Sequence, residues 1–383
     1  MVDAAAAIAA LTAAFERPLA YAADQASGGR PVIAVSAASV PAELLRASGA
    51  VSVVLRWPPE PTPRADEWLE PGVFTHRIRA LVDAALDGRL ALLRALVIPR
   101  TSEQDYKAYL YIREIGRERD APRMPPVVLF DLLQSRSADV RKYGLARTRA
   151  LAGTIEAMVD CAIVDADLAV AIQEANAARA AARRLLHLRQ GRPRVKGTEI
   201  LPLVGALHIM PYAQYTSLAD LAVDELASRP VLDGPRVLII GAVPDHLVLH
   251  QALESHGAVV SREASAWGSR AAEADVSTAQ DPMTAIFDRY YAVGDGARRP
   301  SAEEDAWVER ALDEADGVVF SLPADDSVYG WDYPRQRRLV DARAIPHLVL
   351  RHVSTDASGV AAREDVARFV DHAATARATR HAR

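Results

Sequence analysis

Polar side chains follow four short apolar runs of this sequence, and these side chains are the ones most able to do chemistry. The four segments are Ser36 with Ser39, Arg100–Glu103, Asp245–His246, and 323–326, which contains Asp325 and Asp326. Each apolar run is typical of a buried strand, and ligands of open parallel sheets bind outside the carboxyl ends of the strands. We therefore expect two crevices that face each other and form a small-molecule site between two domains.

Each of these polar residues also has an ordinary structural explanation. Ser102 precedes a helix, where its hydroxyl would cap the first turn. His246 would open a helix at the surface, and the Asp325–Asp326 pair would serve in a turn. His208 lies in the apolar segment LVGALHIMPYAQY and is predicted to be a satisfied core histidine. The sequence alone does not decide between these structural roles and contact with a ligand.

The motifs of several common enzyme classes are absent. The turn after the strand at 237–240 is GAVPDH and has a single glycine, whereas a dinucleotide fingerprint needs several glycines so that the backbone can approach pyrophosphate. There is also no GxxxxGK[ST], GxSxG or HExxH segment. The sequence therefore argues against a Rossmann dehydrogenase, a P-loop NTPase, an α/β-hydrolase and a zincin.

The composition restricts the partners. Half of the residues are hydrophobic and a quarter are charged, with a net charge of −5, which is typical of a folded globular protein. No stripe of Lys and Arg interleaved with aromatics is present, so we expect no nucleic-acid binding. The run MVDAAAAIAALTAAFERP has no basic region and contains Asp3, which predicts an amphipathic helix instead of a signal peptide. No apolar run is long enough to span a bilayer, and a cytoplasmic protein without membrane contact is expected.

The sequence contains one cysteine, Cys161. A single thiol excludes a disulfide framework within the chain, a cysteine-ligated cluster and a CxxC zinc site. Cys161 lies in the apolar-periodic stretch IEAMVDCAIVDADLAVAI, which predicts a small buried residue within a helix.

Alternating strand and helix patterns position the polar segments. Strands are predicted at 30–37, 51–57, 95–98 and in PPVVLFDLL, with helices between them, which indicates a doubly wound parallel sheet. From 138 to 190 the pattern is almost wholly helical and is broken only near Gly153. A second α/β unit begins at GPRVLIIGAVPDH, residues 234–246. The predicted fold is α/β, with two doubly wound parallel-sheet (flavodoxin- or Rossmann-like) domains at 1–137 and 231–383 and a helical connector at 138–230.

Several segments resemble one enzyme family, in the same order along the chain. They are VPAELLRASGA, the helix IVDADLAVAIQEANAARAAARRLL, RVKGTEI, PRVLIIGAVPDHLVLHQALESHGAVVSRE, ADGVVFSL and AIPHLVLRH. From about residue 30 to 372 the chain resembles the family of 2-hydroxyglutaryl-CoA dehydratase, related 2-hydroxyacyl-CoA dehydratases and benzoyl-CoA reductase subunits.

The resemblance implies radical chemistry on a CoA thioester within a heterodimer of similar subunits. An activator protein hydrolyses ATP and passes one electron to a [4Fe–4S] cluster beside the thioester carbonyl, and cysteines from three strand-end loops hold that cluster. The corresponding loops here are GVFTH, PRTSE and SLPADDS, and none contains cysteine. Because these loops lack cysteine, the resemblance implies that the chain binds no cofactor itself. It also implies that a homologous cysteine-bearing subunit holds the cluster.

Site residues follow from the same resemblance. Substrate contacts are expected from Ser36, Ser39, Glu43, Ser102 and Asp325, although Glu43 is equally placed to favour the dipole of its own helix. The substituted loops also contain oxygen and imidazole donors that would suit a hard divalent ion, but we expect no metal in this chain. Those donors are His76, Ser102, Glu103, Asp325 and Asp326.

Three functions remain open at this point. The preferred one is a cluster-free subunit of a heteromeric acyl-CoA dehydratase or aryl-CoA reductase. The second is a non-catalytic CoA-ester-binding or assembly subunit. The third is a redox-free acyl-CoA lyase or hydratase, for which His76 or Glu103 would be the natural base.

Overall fold

The structure is a computed structural model of the 383-residue chain. It describes residues 3–58, 60–70, 72–118, 122–133, 135–293, 299–322, 328–351, 360 and 363–381.

Two four-stranded parallel sheets form the framework. The first contains β1 (Val32–Val35), β2 (Val51–Val54), β3 (Ala95–Pro99) and β4 (Val127–Phe130), in the spatial order β2-β1-β3-β4. The second contains β5 (Arg236–Gly241), β6 (Val259–Glu263), β7 (Gly317–Leu322) and β8 (His347–Arg351), in the equivalent order β6-β5-β7-β8. The chain therefore reverses its winding direction between β1 and β3 and again between β5 and β7, and the predicted α/β fold class is confirmed.

Helices cover both sheets and fill the chain between them. Around the first sheet lie α1 (Ala4–Glu16), α2 (Pro18–Ser27), α3 (Ala42–Ala47), α4 (Pro63–Asp66), α5 (His76–Leu86) and α6 (Glu103–Ile115). Between the sheets come α7 (Ala138–Val159), α8 (Asp165–His187), α9 (Gly197–Gly205), a 3₁₀ turn (Ala206–His208) and α10 (Tyr212–Ala227). The last helices are α11 (Val248–Ser255), α12 (Pro282–Val293), α13 (Ser301–Leu312), α14 (Tyr329–Ala342) and α15 (Glu364–His381). Within the described ranges, every helix is too short or too polar to cross a bilayer.

The central strands are buried on both faces. Along β1, Val32 and Ala34 pack into one hydrophobic core, while Ile33 and Val35 pack into the core on the other face. Successive strand residues point to opposite faces, so a sheet covered by helices on both sides needs an apolar residue at every position. This requirement explains why the strands are continuous apolar runs in the sequence.

Two predictions about the middle of the chain are wrong. Helix α7 continues through Gly153, and the break comes at Asp160, which takes a left-handed conformation with φ 54° and ends the helix. Cys161 follows this break, lies outside any helix and is exposed. The carbonyl of Met158, three residues earlier, accepts a hydrogen bond from Arg94, which immediately precedes β3. Cys161 is therefore close to the amino end of β3, on the opposite side of the sheet from the carboxyl ends of the strands.

Candidate functional site

The carboxyl end of β1 provides two hydroxyl groups at the reversal point of the first sheet. Ser36 directly follows β1 and is 2% exposed, and its amide donates to the carbonyl of Val97 in β3 at 3.1 Å. Ser39 lies in the turn that leads into α3. The hydroxyl oxygens of both serines are buried and have no hydrogen-bond partner in the described part of the chain. Buried polar groups are almost always hydrogen-bonded, so this pair is consistent with a position that a ligand completes.

An arginine and an aspartate occupy the space beside these serines. The Arg77 guanidinium, at the start of α5, donates to the Asp105 carboxylate at 2.6 Å and to the carbonyl of Ser36 at 3.3 Å. Asp105 has no exposed surface and also accepts hydrogen bonds from the hydroxyls of Thr101 and Ser102. The Arg77 side chain remains 33% exposed. Asp105 therefore fixes the orientation of the Arg77 guanidinium.

The amino ends of α5 and α6 are joined by one side chain. Gln104 accepts a hydrogen bond from the amide of Thr75 at 2.8 Å and donates to the carbonyl of Val73 at 3.1 Å. Ser102 is the N-cap of α6, as its position predicts, because its hydroxyl accepts the amide hydrogen of Asp105. The loop at 72–76 and the loop at 100–104 are thus joined by the hydrogen bonds of Gln104.

The two candidate bases differ in their surroundings. Nε2 of His76 lies 2.8 Å from the carbonyl of Glu60, and since a carbonyl only accepts, Nε2 bears the hydrogen. The lone pair of a neutral His76 ring is therefore on Nδ1. Glu103 is the first residue of α6, and its side chain is 73% exposed beside Arg100 at 3.4 Å.

Glu43 lies in a buried network. It has no exposed surface and accepts hydrogen bonds from Arg179 of α8 at 2.8 Å and from the hydroxyl of Tyr290 of α12 at 2.9 Å. Burial alone would raise the pKa of Glu43, but the charges of Arg179 and Arg289 hold it below the usual value. Both carboxylate oxygens are thus engaged by protein groups, and Glu43 joins α3 to two helices from distant parts of the chain.

The carboxyl end of the second sheet meets that of the first. Arg56 follows β2, is 7% exposed, and donates through Nε to the carbonyl of Asp245, which follows β5, at 2.5 Å. Gly241 makes the turn out of β5 with φ 96°, and a Cβ there would lie 2.4 Å from the carbonyl of Ser321. We refer to the space between the carboxyl ends of the two sheets as the cleft. Asp325 and Asp326, predicted to lie at its second rim, are outside the described residues.

The electrostatics of His246 fit a position in the cleft. The amide of Val248 lies 3.4 Å from Nδ1 of His246, so Nδ1 is the acceptor and Nε2 bears the hydrogen of the neutral ring. Burial lowers the pKa of His246, and Arg56, His76 and His250 lower it further against the opposing effect of Asp245. By contrast, His208 lies away from this group, with Nε2 donating to the carbonyl of Ala266 at 2.8 Å. Burial lowers the pKa of His208 to about 4.

Three side chains of this site, Arg56, Arg77 and Gln104, do not stand out in the sequence. For Asp105, the spacing Ser102-x-x-Asp105 matches the Ser/Thr-x-x-Asp/Glu signature of a helix start. No local pattern indicates that Asp105 pairs with Arg77, because the two residues are 28 positions apart and on different helices.

Comparison with protein families places these residues in a known context. The model of the family described as 2-hydroxyglutaryl-CoA dehydratase, D-component, matches residues 37–371. The chain belongs to this family. A search of curated proteins finds no match. The family is named for one component of a dehydratase that acts on a CoA thioester. The matched range begins after β1 and Ser36 and includes the other seven strands of the two sheets.

The donors of this dehydratase-family chain do not fit the [4Fe–4S] cluster that the resemblance implies. The two described loops offer hydroxyl, imidazole and carboxylate groups, whereas such a cluster takes thiolate ligands. The third loop lies largely outside the described residues and has no cysteine in its sequence. The single thiol, Cys161, lies near the amino end of β3. Over the described ranges, no three His, Cys, Asp or Glu side chains come together as a metal site would require.

Proposed function

We propose that this chain is the subunit of a heteromeric 2-hydroxyacyl-CoA dehydratase that holds no cluster of its own. It binds an acyl-CoA thioester in the cleft, while a homologous cysteine-bearing subunit holds the [4Fe–4S] cluster and an ATP-dependent activator reduces it. A benzoyl-CoA reductase-like complex would use the same arrangement for an aryl-CoA thioester.

One observation supports this proposal above the others. At the two described loops that correspond to cluster loops, Gln104 bridges the loops through hydrogen bonds, and Asp105 pairs with Arg77. A site built to hold a cluster would instead present thiolates toward an open centre. Among the described residues, two buried serine hydroxyls of the cleft have no hydrogen-bond partner, which suits a subunit that still binds a ligand.

The proposed roles of the individual residues follow from their positions. Ser36 and Ser39 donate hydrogen bonds to the bound thioester, and Ser102 holds α6 through its cap. Glu43 fixes the start of α3 behind Ser39 through its contacts with Arg179 and Tyr290. Asp325 belongs to the same proposed surface by its place in the sequence.

His76 supports a second candidate function, a redox-free lyase or hydratase acting on the same thioester. Its ring is fixed by the carbonyl of Glu60, and Nδ1 is the nitrogen able to take a proton from substrate. Glu103 is the weaker candidate base, since its side chain is 73% exposed and well solvated.

Iron analysis and turnover assays test the proposal. The isolated chain is expected to show no absorption near 400 nm and substoichiometric iron after anaerobic reconstitution. A complex with a cysteine-bearing homologue should contain about four irons per cluster-bearing subunit. That complex should dehydrate a 2-hydroxyacyl-CoA only with activator, ATP and reductant.

Other outcomes identify the alternatives. About four irons bound to the isolated chain would contradict the cluster-free assignment. Turnover by the isolated chain without ATP, abolished in His76→Gln, would favour the lyase. A third outcome is a stable complex whose affinity for CoA esters does not change when residues of this chain's cleft are substituted. That outcome would favour the assembly subunit.

A further inference from the structure

We propose that a cavity at the amino end of the second sheet binds an organic phosphate, a small molecule that carries a phosphate group on an apolar body. The cavity has a volume of about 300 Å³ and is lined by segments 191–193 and 231–234 together with Arg236 and Arg377. This volume is within the range of small-molecule pockets. The proposal does not depend on the function proposed above.

The cavity is separate from the cleft. Arg236 is the first residue of β5, whereas Gly241, the last residue of that strand, makes the turn at the cleft. A strand rises about 3.3 Å per residue, so a length of about 17 Å lies between the two. Asp316 directly precedes β7, and because β5 and β7 are parallel it lies at the same end of the sheet as Arg236. The proposed site is therefore at the opposite end of the second sheet from the cleft.

Guanidinium groups outnumber carboxylates around the cavity in the described part of the chain. The buried carboxylate of Asp316 accepts hydrogen bonds from Arg236 at 3.0 Å and from Arg380 at 2.9 Å. Nε of Arg377 lies 4.0 Å from the same carboxylate, so one negative charge faces three positive charges. Asp233 also pairs with Arg377, at 2.7 Å, but it is 95% exposed, and an exposed ion pair is strongly screened by solvent. The excess of positive charge favours an anion in the cavity.

Two arginines that line the cavity have hydrogen-bond donors available for a ligand. The Nη1 group of Arg377 donates to Asp233 at 2.7 Å and to the carbonyl of Gly234 at 2.8 Å, whereas its Nη2 group donates to no described residue. Arg192 is exposed and forms no hydrogen bond or ion pair with the described residues. Phosphate oxygens match the planar fork of a guanidinium group, so a phosphate is the anion that these donors suit best.

The walls of the cavity are fixed by the protein and are partly apolar. The amide of Leu232 donates to the carbonyl of Pro193 at 2.7 Å, which joins the two lining segments, and Arg236 donates to the carbonyl of Gly191 at 3.4 Å. A preformed site loses little conformational entropy when it binds a ligand. Pro193, Val231 and Leu232 contribute apolar side chains to the lining. This lining favours a phosphate that carries an apolar group over a free inorganic ion.

Arg368 provides a matched control for Arg192. It is also exposed and also forms no hydrogen bond or ion pair with the described residues. Arg368 is on α15, the helix that contains Arg377, but it does not line the cavity. Arg192→Gln and Arg368→Gln therefore change the net charge equally, and only the first removes a donor of the proposed site.

Titration calorimetry on the full chain tests the proposal with phenyl phosphate, inorganic phosphate and phenol. We expect phenyl phosphate to bind more tightly than inorganic phosphate, and phenol not to bind. Arg192→Gln and Arg377→Gln should each weaken the binding of phenyl phosphate by about 10-fold, because each removes a charged hydrogen-bond donor, and Arg368→Gln should leave it unchanged. Arg192→Gln should also keep the Tm of the unmodified chain, since its side chain has no contact of this kind to lose among the described residues.

Several outcomes would overturn the proposal. Phenyl phosphate that does not bind, or that binds Arg192→Gln as tightly as Arg368→Gln, would show that the cavity is not a phosphate site. Equal affinities for inorganic phosphate and phenyl phosphate would mean that the site takes the free ion and not an organic phosphate. Acetyl-CoA should leave the affinity for phenyl phosphate unchanged, and displacement by acetyl-CoA would show that the cavity belongs to the CoA-ester site.

Discussion

Arg189 and Glu263 form a fully buried ion pair. Neither side chain has any exposed surface, and the guanidinium contacts both carboxylate oxygens at 2.5 Å. Nε2 of His250 lies 3.2 Å from the same carboxylate. Burial alone would raise the pKa of Glu263, but Arg189 and His250 lower it to about 2.

Glu263→Gln tests this pair at the residue scale. The substitution leaves the Arg189 charge buried without its partner, so the free energy of unfolding at neutral pH should fall by about 3–5 kcal/mol. Because the folded pKa of Glu263 is depressed, its contribution is complete above the usual glutamate pKa and is lost as the pH falls toward about 2. Urea unfolding at several pH values should therefore show the two proteins converging in acid. A constant difference at all pH values would contradict the assignment.

Residue-scale features differ in how well sequence predicts them. The Ser102 cap follows from local spacing, because a cap bonds to an amide three positions away. The pairs Arg77–Asp105 and Arg189–Glu263 join residues 28 and 74 positions apart, and many arginines and carboxylates in the sequence could pair equally well. Only the fold selects these partners, so neither pair could be identified before the structure.

At the scale of elements, sequence patterns succeed where local physics decides. The apolar runs give β1 and β3 because a doubly covered strand needs apolar residues at every position. The break expected near Gly153 is wrong because one glycine costs a helix only about 1 kcal/mol, which a 22-residue helix tolerates. Helix α7 ends at Asp160, which takes a left-handed conformation. Glycine is the usual residue in that conformation, so an aspartate there gives no clear signal in the sequence.

Two glycines of α7 give opposite predictions for the same substitution. Gly153 is exposed, and a Cβ there would meet only a Glu156 oxygen at 3.9 Å, so Gly153→Ala should stabilise the protein by about 0.5–1 kcal/mol. Gly144 is buried, and its Cβ would lie 2.6 Å from the Phe287 ring and 3.1 Å from Leu132. Gly144→Ala should therefore destabilise by about 1–3 kcal/mol. Thermal unfolding of the two variants tests these predictions. A change in Tm of the same sign in both variants would contradict the packing of α7 against α12.

At the scale of the whole molecule, α8 and the residues just beyond it connect the two sheets. Arg179 on α8 bonds to Glu43 of α3, beside the first sheet. Arg189, two residues after the helix ends, bonds to Glu263 of β6 in the second sheet. The sequence predicts a helical segment between two α/β units, but these two buried arginines are what fix it to both. The relative position of the sheets, and hence the shape of the cleft, depends on them.

Arg56 makes the corresponding connection inside the cleft. Its Nε donates to the carbonyl of Asp245 at 2.5 Å, its NH1 group donates to the carbonyl of Phe15 at 3.1 Å, and its guanidinium lies 4.0 Å from the centre of the Phe15 ring. The side chain therefore joins the end of β2, the segment after β5 and the end of α1. Methionine has a similar volume and no donor, so Arg56→Met removes the connections while largely filling the space.

Arg56→Met should loosen the cleft before it unfolds the chain. Two carbonyls lose a charged donor, and since each such hydrogen bond is worth about 1.5–3 kcal/mol, the free energy of unfolding should fall by about 2–4 kcal/mol. Amide hydrogen exchange should accelerate in the segment around Asp245 more than in β3, because only the former loses a direct contact. Arg117→Met is the control, since Arg117 is 66% exposed and pairs only with Glu114 among the described contacts. If the Asp245 segment exchanges at the same rate in Arg56→Met and Arg117→Met, Arg56 does not hold the two sheets together.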